Sequence, residues 1–464
     1  MNPLTLRLKQ MKTCASALGL LLLQAAFSSP LHATTLWEVY QKALSNDPTY
    51  LGAIASKQQQ QQDVDIADTN FWPGLNLHGG YTRSESSSTD VTSKSYNYGA
   101  DLGMYLYNKA NNVASSRAKT VFLKAEFDFK TAQQDLIYRV AANYFAVLAA
   151  RDNVEFSKAE QRAISRQLDQ TKQRFDVGLV AITDVHEAQA RYDLSVAQGI
   201  KYENDLGVAL EALQEITGTN EKGLFGLSPE APMLRPSPED INQWVQIALK
   251  ENPRLNSSQL TVDLAMHDKD AIRAANYPTL NLNLGYSATQ YVGDSTGYVT
   301  SSSGFTATDK TSSTTGSVTL RYNFWDAGAT REKVKKSMST IELNKQNNEK
   351  TRRDIQRKTR SAYLDVIAGV SRIAALKQAV VSRESAQKAA EAGFEVGTKT
   401  TVDVLDSRRE LFSAQNEYAK ARYDFILNSL NLKISAGTLT EKDIKQVDDW
   451  LMAPSVNDKP GKKK

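Results

Sequence analysis

Two aspartates, Asp403 and Asp406, have the type and spacing of residues that could do chemistry. Because they are three positions apart, their side chains would lie on one face of a helix, which brings two negative charges together. Aspartates near the start of a helix also have a purely structural role, because the helix dipole stabilises a negative charge there. The residues alone favour this second interpretation, two solvated aspartates at a helix N-terminus.

The remaining reactive side chains predict neither an enzyme nor a cofactor site. Beyond residue 33 the histidines are His78, His186 and His267, which are far apart and not in metal-ligand spacing. The sequence has no Gly-Lys-Ser/Thr phosphate loop and no Gly-x-Ser-x-Gly nucleophile motif. The single cysteine, Cys14, lies in the first 33 residues, so the rest of the chain offers no disulfide and no cysteine-ligated metal. We expect no catalytic residue, no structural metal and no cofactor.

Both aspartates follow a turn that occurs twice in the chain. The first turn runs from residue 177 to 184 and contains Gly178, and the second runs from 396 to 403 and contains Gly397. Glycine suits the C-terminus of a helix, and Thr or Asp suits the N-terminus of the next one. Gly178 and Gly397 are therefore each predicted to end one long helix and to turn the chain into a returning helix.

The turns belong to a longer duplication. Three segments recur in order, the first two about 205 positions further on and the third about 219 positions further on. A repeat of this length predicts two copies of one structural unit, repeat 1 over residues 34–235 and repeat 2 over residues 236–437. The recurring pairs are Ala43–Pro48 with Ala248–Pro253, Trp72–Leu77 with Tyr277–Leu282, and Phe175–Gly178 with Phe394–Gly397.

Each repeat is predicted to contain a helix, a β-hairpin and two long helices. Pro73 and Pro278 stop the first helix of each repeat and precede the strands, because the apolar period changes there from 3.6 to 2. Apolar residues such as Leu136, Val140 and Tyr144 recur along the long helices at the spacing of coiled-coil packing. The predicted ranges are hairpins 74–108 and 279–326, helices 111–176, 184–217, 330–395 and 402–436, and connecting segments 219–237 and 438–464.

The four predicted strands are apolar on one side and polar on the other. Their length of about 10 residues suits a strand that crosses an outer membrane, although the strands of a half-buried soluble sheet alternate in the same way. Long Ser/Thr-rich tips at residues 84–95 and 287–315, together with a predicted export signal, favour the membrane. Because four strands cannot close a barrel and an open edge cannot face lipid, several chains would have to share one barrel.

Residues 1–33 are predicted to be a secretory signal peptide. They combine Arg7, Lys9 and Lys12 with a short apolar run and a small residue, Ala33, at the expected cleavage point. The whole chain has a net charge of +4, and without these three basic residues the charge is about +1. That charge is too balanced for a nucleic-acid-binding protein. Beyond the signal, no apolar stretch of about 18 residues predicts a transmembrane helix.

The two turns carry a family resemblance. Residues 166–185, which include Gly178-Leu179-Val180-Ala181-Ile182-Thr183-Asp184, resemble the first entrance turn of the TolC family of outer-membrane efflux channels (outer membrane factors), and residues 396–406 resemble the second. The similarity covers nearly the whole chain after the signal. It implies a mainly helical α+β fold and a homotrimer with a 12-stranded transmembrane β-barrel, four strands per chain. This barrel would be continuous with a long α-helical coiled-coil barrel across the periplasm of a Gram-negative bacterium.

The resemblance also implies a gate. Asp403 and Asp406 match a pair of aspartates that ring the periplasmic entrance of the family, so that three chains would set six carboxylates around one constriction. This ring would favour cations and could bind multivalent ones. Polar links between the two turns close the entrance in the family. The matching positions in this sequence are Thr183, Asp184, Phe394 and Lys399.

Two of the four link positions depart from the family pattern. Phe394 replaces a tyrosine that would donate a hydrogen bond to Asp184, and Lys399 replaces an arginine that would offer a planar fork. We therefore expect a less tightly latched closed state, held by packing and by Lys399 with Thr183 or Asp184.

The implied function is a passive exit duct of tripartite efflux pumps and type I protein secretion, gated at its periplasmic entrance. Its partners would be a periplasmic adaptor (membrane fusion) protein, an inner-membrane transporter and outer-membrane lipid, and no nucleic acid. The alternative is a non-transporting periplasmic or surface coiled-coil protein whose hairpins form soluble sheets. The sequence leaves the cargo open among drugs, toxins and proteins.

Overall fold

The computed structural model describes residues 34–86, 91–221, 223–291 and 310–452. The predicted signal peptide, parts of both hairpin tips and residues 453–464 lie outside this part of the chain. Within it, the protein is mainly helical. None of the helices in this part combines the length and the apolar character needed to cross a membrane.

One order of elements occurs twice: two short helices, a β-hairpin and two long helices. The first series is α1 (Leu36–Asn46), α2 (Pro48–Thr69), β1 (Gly74–Ser86), β2 (Val91–Asn108), α3 (Lys109–Asp176) and α4 (Ile182–Thr217). After the short strand β3 (Gly226–Leu227), the second series is α5 (Ile241–Glu251), α6 (Pro253–Ala274), β4 (Thr279–Tyr291), β5 (Lys310–Arg321), α7 (Ala329–Glu395) and α8 (Thr401–Ala436). The chain then continues through α9 (Glu441–Asp448) to β6 (Leu451–Met452), which pairs with β3.

The single helix expected before each hairpin is a pair of helices. The residue before a proline is disfavoured from helical backbone, and proline itself suits the first position of a helix. Asp47 is accordingly extended (φ −68°, ψ 114°) before Pro48 begins α2. Asn252 is likewise extended (φ −66°, ψ 117°) before Pro253 begins α6. The break therefore occurs at the same place in both repeats.

An antiparallel sheet contains the four long strands in the order β1, β2, β4, β5. Its register places side chains of like polarity in rows across the strands. Leu75, Leu102 and Leu284 share one row, and Asn76 and Asp101 share the next. Because successive side chains point to opposite faces, the sheet has one apolar face and one polar face.

The last strand is shorter than the sequence pattern predicts. The sequence pattern predicts a hairpin that extends to residue 326, but β5 ends at Arg321. The carboxylate of Asp326 accepts hydrogen bonds from the N–H groups of Gly328 (3.0 Å) and Thr330 (2.8 Å). These bonds satisfy backbone donors at the start of α7, so the end of the predicted hairpin belongs instead to the entry into the helix.

The chain forms two compact units that cut across the two sequence repeats. Among the described residues, the first unit contains residues 34–51, 134–221, 223–244 and 359–452, and the second contains residues 52–86, 91–133, 245–291 and 310–358. Each unit therefore draws on both repeats, and neither repeat is a compact unit of its own.

The core of the first unit confirms the apolar stripe predicted on α3. Leu136, Val140 and Tyr144 are completely buried. The buried residues of α1 that join this core are Leu36, Val39, Tyr40 and Ala43. On α7, Val366 is also buried, whereas Tyr363 remains partly exposed and donates its hydroxyl to the carbonyl oxygen of Glu239 (2.8 Å). The equivalent stripe in the second repeat is thus less completely covered within one chain.

The second unit holds the sheet, together with α2, α6 and the adjoining parts of the long helices. Polar contacts connect its helices. The Ser257 hydroxyl on α6 donates to the Asp128 carboxylate on α3 (2.6 Å), and Arg117 on α3 forms an ion pair with Asp268 on α6 (2.7 Å). These contacts fix the helical part next to the sheet.

Candidate gate at the two helix turns

Both predicted turn glycines end a long helix in the left-handed conformation. Gly178 has a φ of 75° at the end of α3, and Gly397 has a φ of 79° at the end of α7. This region favours glycine because glycine has no Cβ to clash with the backbone. A 2.8 Å hydrogen bond from the N–H of Leu179 closes the first turn, and one of the same length from Thr398 closes the second.

The helices that leave the two turns are capped differently. At the start of α8, the Thr400 hydroxyl accepts a hydrogen bond from the N–H of Asp403 (3.2 Å). The Asp403 carboxylate in turn accepts bonds from the N–H and the hydroxyl of Thr400 (2.8 Å each). At the start of α4 the corresponding residue is Ala181, whose side chain cannot cap a helix.

Asp184 is the first-turn counterpart of Asp403, and it lies in the first turn of α4 next to Thr183. Within the described part of one chain, the side chains of Thr183 and Asp184 form neither a hydrogen bond nor an ion pair. The first turn therefore presents a carboxylate with free acceptor sites, and the second presents one whose acceptor sites are partly used.

The capping bonds favour the charged form of Asp403. The N–H and the hydroxyl of Thr400 donate to its carboxylate, and Lys399 adds a positive charge, so that the pKa of Asp403 is below its ordinary value. The ammonium of Lys399 lies 3.8 Å from this carboxylate. Within one chain Lys399 is thus paired with Asp403, and its contact with Thr183 or Asp184 stays a prediction.

Asp406 is paired with an arginine of the other helix pair. Nη1 of Arg191, on α4, donates to Oδ1 of Asp406 on α8 (2.8 Å). Nε of the same guanidinium donates to Oε1 of Glu187, one helical turn earlier (3.1 Å). One side chain therefore holds a carboxylate from each of the two helices that leave the turns.

Two further arginines contact residues near the second turn. The guanidinium carbon of Arg174 lies 4.3 Å from the centroid of the Phe394 ring, which is a cation–π contact. Arg408 on α8 donates to the carboxylate of Glu391 on α7, and its Nη1 donates to the carbonyl oxygen of Ala163 on α3 (3.3 Å). The ring of Phe394 is thus held by the positive charge of Arg174, without the hydrogen bond that a tyrosine hydroxyl could add.

A polar cavity of about 670 Å³ lies beside the second turn. Its lining consists of Gln167, Gln170, Gln173, Arg174, Val177, Glu391, Phe394, Glu395, Val404 and Arg408. Gln167 is only 4% exposed, and its Nε2 has no hydrogen-bond partner among the described residues. The wall of the cavity therefore combines charged groups with a buried donor.

Of the other residues named from the sequence, His186 lies near a turn, two positions after Asp184 on α4, and the remaining ones lie elsewhere in the chain. Pro73 directly precedes β1 and Pro278 directly precedes β4. His78, His186 and His267 are on β1, α4 and α6 respectively. In the part of the chain that the structure describes, no three His, Cys, Asp or Glu side chains are grouped to hold a metal ion.

Comparisons with known proteins match both repeats of the chain to one family. The family described as "Outer membrane efflux protein" matches residues 39–219 and 244–438, one segment in each sequence repeat. The chain belongs to the outer membrane efflux protein family. Outer membrane protein TolC of Vibrio cholerae is 34% identical over 424 residues, which cover 91% of this chain and 95% of that protein.

One further relative and one solved structure extend the comparison. Alkaline protease secretion protein AprF of Pseudomonas aeruginosa is 27% identical over 428 residues, covering 89% of this chain and 87% of that protein. The crystal structure of CusC shares the fold with a TM-score of 0.72 at 18% identity, over 87% of this chain and 92% of that chain. The predicted family is thus confirmed, and this outer membrane efflux protein resides in the outer membrane of a Gram-negative bacterium.

Sequence reasoning missed the arginines of the candidate gate. For Arg191 part of the signal was available, because Glu187 precedes it by four positions and this spacing favours an ion pair on a helix. The bond to Asp406 crosses 215 positions of sequence. No local pattern indicates such a partner, and the same holds for Arg408 and Ala163.

Proposed function

We propose that three copies of this outer membrane efflux protein form one gated exit duct that leads from the periplasm to the outside of the cell. The sheet carries this proposal. Within the described chain, its outer strands β1 and β5 are each paired on one side only, and on its apolar face Leu77 and Leu320 are 79% and 69% exposed. Lipid cannot satisfy a free strand edge. Three such sheets joined edge to edge would form a closed 12-stranded barrel with its apolar face in lipid.

The long helices are proposed to continue this barrel into the periplasm as an α-helical coiled-coil barrel. Helices α3 and α7 have 68 and 67 residues, and each is followed by a tight glycine turn and a returning helix of 36 residues. The two repeats, 34–235 and 236–437, supply two such helix pairs per chain. Three chains therefore supply six pairs, an arrangement that suits a tube.

The two turns are proposed to form the gate at the periplasmic entrance. In the trimer Asp403 and Asp406 would line the constriction, where their carboxylates would favour cations. Asp184 supports this proposal because its carboxylate is free to accept a hydrogen bond from a neighbouring chain. The proposed links between the turns are made by Thr183, Asp184, Phe394 and Lys399.

The duct is proposed to be passive and to depend on an energised inner-membrane transporter and a periplasmic adaptor. One relative is named as a secretion protein for an alkaline protease, and the matching family is named for efflux. We therefore propose that the cargo includes both small molecules and proteins, in tripartite efflux and in type I secretion. Selection of the cargo would then lie with the transporter, because a shared duct does not need to recognise it.

Fractionation and conductance test the proposal against the alternative of a non-transporting coiled-coil protein. We expect a heat-modifiable trimer in the outer membrane fraction, and the purified trimer should conduct ions across a planar lipid bilayer. A soluble monomer without conductance would support the alternative. A deletion strain scored for both drug sensitivity and protein secretion then shows which cargo classes use the duct.

A further inference from the structure

The helices that leave the two turns are joined by one side chain, that of Arg191. Its guanidinium donates through Nη1 to Asp406 on α8 (2.8 Å) and through Nε to Glu187 on its own helix α4 (3.1 Å). The side chain of Arg191 is only 22% exposed, whereas that of Asp406 is 42% exposed. A planar fork can bind two carboxylates through different edges, which the single ammonium of a lysine cannot do in the same geometry.

This pairing changes the charge that the second turn offers to a cation. The negative charge of Asp406 is compensated by the guanidinium of Arg191 at 2.8 Å. The charge of Asp403 is compensated less closely, because the ammonium of Lys399 is 3.8 Å away. The spacing of the two aspartates in the sequence suggests equal carboxylates, but the structure makes them unequal. The carboxylate of Asp403 is therefore the more available of the two to a cation. A cation can bind the carboxylate of Asp406 only in competition with the guanidinium of Arg191.

We propose that Arg191 is a positioning residue of the gate, which ties α4 to α8 and withholds Asp406 from cations at the entrance. This proposal rests on the proposed function, because it assigns Arg191 a role in a conducting trimer. Loss of the guanidinium frees the Asp406 carboxylate and removes a link between the helices of the two turns. The entrance then binds multivalent cations more tightly and opens more readily.

Arg166 offers a matched control for Arg191. It lies on α3 about as far from the first turn as Arg191 does on the other side. Among the described residues, its side chain donates only to the carbonyl oxygen of Arg162 in its own helix (3.3 Å). Arg166→Gln therefore removes the same charge from the same end of the helices and leaves the link to Asp406 intact.

Block of the purified trimer by La³⁺ in a planar bilayer tests the proposal. Arg191→Gln is expected to lower the half-blocking La³⁺ concentration about threefold, the scale that a half-exposed ion pair supports, and to raise the open fraction. Arg191→Lys should return the half-blocking La³⁺ concentration most of the way to that of the parent protein, because it keeps the positive charge. It should correct the open fraction less, because lysine cannot hold both carboxylates. Arg166→Gln should stay near the parent protein, and Arg191→Gln should have no further effect on block in an Asp406→Asn background.

The outcomes separate this inference from the function on which it rests. If the parent trimer conducts but Arg191→Gln and Arg166→Gln change the block equally, the role of Arg191 is wrong and the duct remains. The role is also wrong if Arg191→Gln tightens the block as strongly without Asp406. If the parent protein forms no conducting trimer at all, the proposed function is wrong, and the role of Arg191 in it fails as well.

Discussion

Arg139 and Asp47 form a two-pronged ion pair in the first compact unit. Nη1 and Nη2 of Arg139, on α3, donate to the two carboxylate oxygens of Asp47 at 3.1 Å and 2.7 Å. The same carboxylate accepts a hydrogen bond from the N–H of Tyr50 in the first turn of α2 (2.8 Å). The break between α1 and α2 is thus attached to the long helix α3. Asp47, the residue at the break, therefore also fixes how these helices pack.

Removal of this pair should destabilise the first unit. Asp47 is 2% exposed, and we expect Arg139→Ala to cost about 2–3 kcal/mol, because hydrogen bonds to a charged group contribute on this scale and the buried carboxylate would lose its partner. Arg357→Ala is the matched control, since its ion pair with Asp354 is well exposed and should be worth less than about 1 kcal/mol. Thermal unfolding followed by circular dichroism measures both. Equal midpoints for the two variants would contradict the prediction.

The same pair predicts a dependence of stability on pH. Burial alone would raise the pKa of Asp47, but the hydrogen bonds from Arg139 and from the N–H of Tyr50 lower it below its ordinary value. A lowered folded pKa gives a contribution to stability that is present above the unfolded pKa and is lost as the pH falls through the folded pKa. The difference in unfolding midpoint between the parent protein and Asp47→Asn should therefore shrink below about pH 4. A difference in unfolding midpoint that stays constant as the pH falls below about 4 would contradict this prediction.

The sequence predicts local features of this protein better than its long-range contacts. The positive φ of Gly178 and Gly397 follows from a helix end that needs glycine, which is a local requirement. The bonds of Arg191 to Asp406 and of Arg139 to Asp47 join residues 215 and 92 positions apart. Such contacts depend on which helices become neighbours, and the periodicity of a single helix does not contain that information.

The breaks at Asp47 and Asn252 show a different reason for a missed feature. Each is followed by a proline, and the sequence pattern predicts one continuous helix because the apolar spacing resumes after the break. Proline at the first position of a helix is favourable, so a proline within a helical pattern can mark the start of a second helix. The two repeats support this interpretation because Pro48 and Pro253 occupy equivalent positions.

The exposed apolar face of the sheet should tolerate no charge if it faces lipid. We expect Leu77→Arg to reduce the amount of trimer in the outer membrane, because an arginine on the lipid side of a barrel costs about 2–4 kcal/mol near the bilayer midplane. Asn76→Arg is the matched control, since Asn76 is the next residue of β1 and points to the other face. Heat-modifiable trimer is quantified in the outer membrane fraction of both strains. Equal loss in the two variants would argue against a lipid-facing apolar side.

The unequal caps of the two turns predict an effect of one substitution on both stability and gating. Ala181→Thr would place a capping hydroxyl at the start of α4, where Asp184 is positioned as Asp403 is in α8. A cap of this kind stabilises a helix by about 1 kcal/mol, and the unfolding midpoint should rise accordingly.

The new cap would also occupy the Asp184 carboxylate, so that fewer acceptor sites remain for a neighbouring chain. The open fraction of the Ala181→Thr trimer in a planar bilayer should therefore increase. Ala181→Val serves as the control, because valine has a similar shape but no hydroxyl. Similar open fractions for the threonine and valine variants would show that capping of α4 does not compete with the gate.

Phe394 provides the most direct test of how the gate is closed. Its ring lies under the guanidinium of Arg174, and a phenylalanine cannot donate a hydrogen bond. Phe394→Tyr adds a hydroxyl, which we predict donates to Asp184, and keeps the ring for Arg174. We expect the closed-state conductance of the purified trimer to fall severalfold, because a hydrogen bond to a charged group is worth about 1.5 kcal/mol or more.

The same substitution in the first turn is its control. Phe175 is the counterpart of Phe394 in the duplicated sequence and is 39% exposed, so Phe175→Tyr adds an equal hydroxyl at the end of α3. Its conductance should match that of the parent trimer. If Phe394→Tyr leaves the closed-state conductance unchanged, the absence of this hydroxyl does not weaken the closed state. Closure would then depend on Arg174 and the packing of the ring, and Arg174→Gln should raise the conductance in both backgrounds.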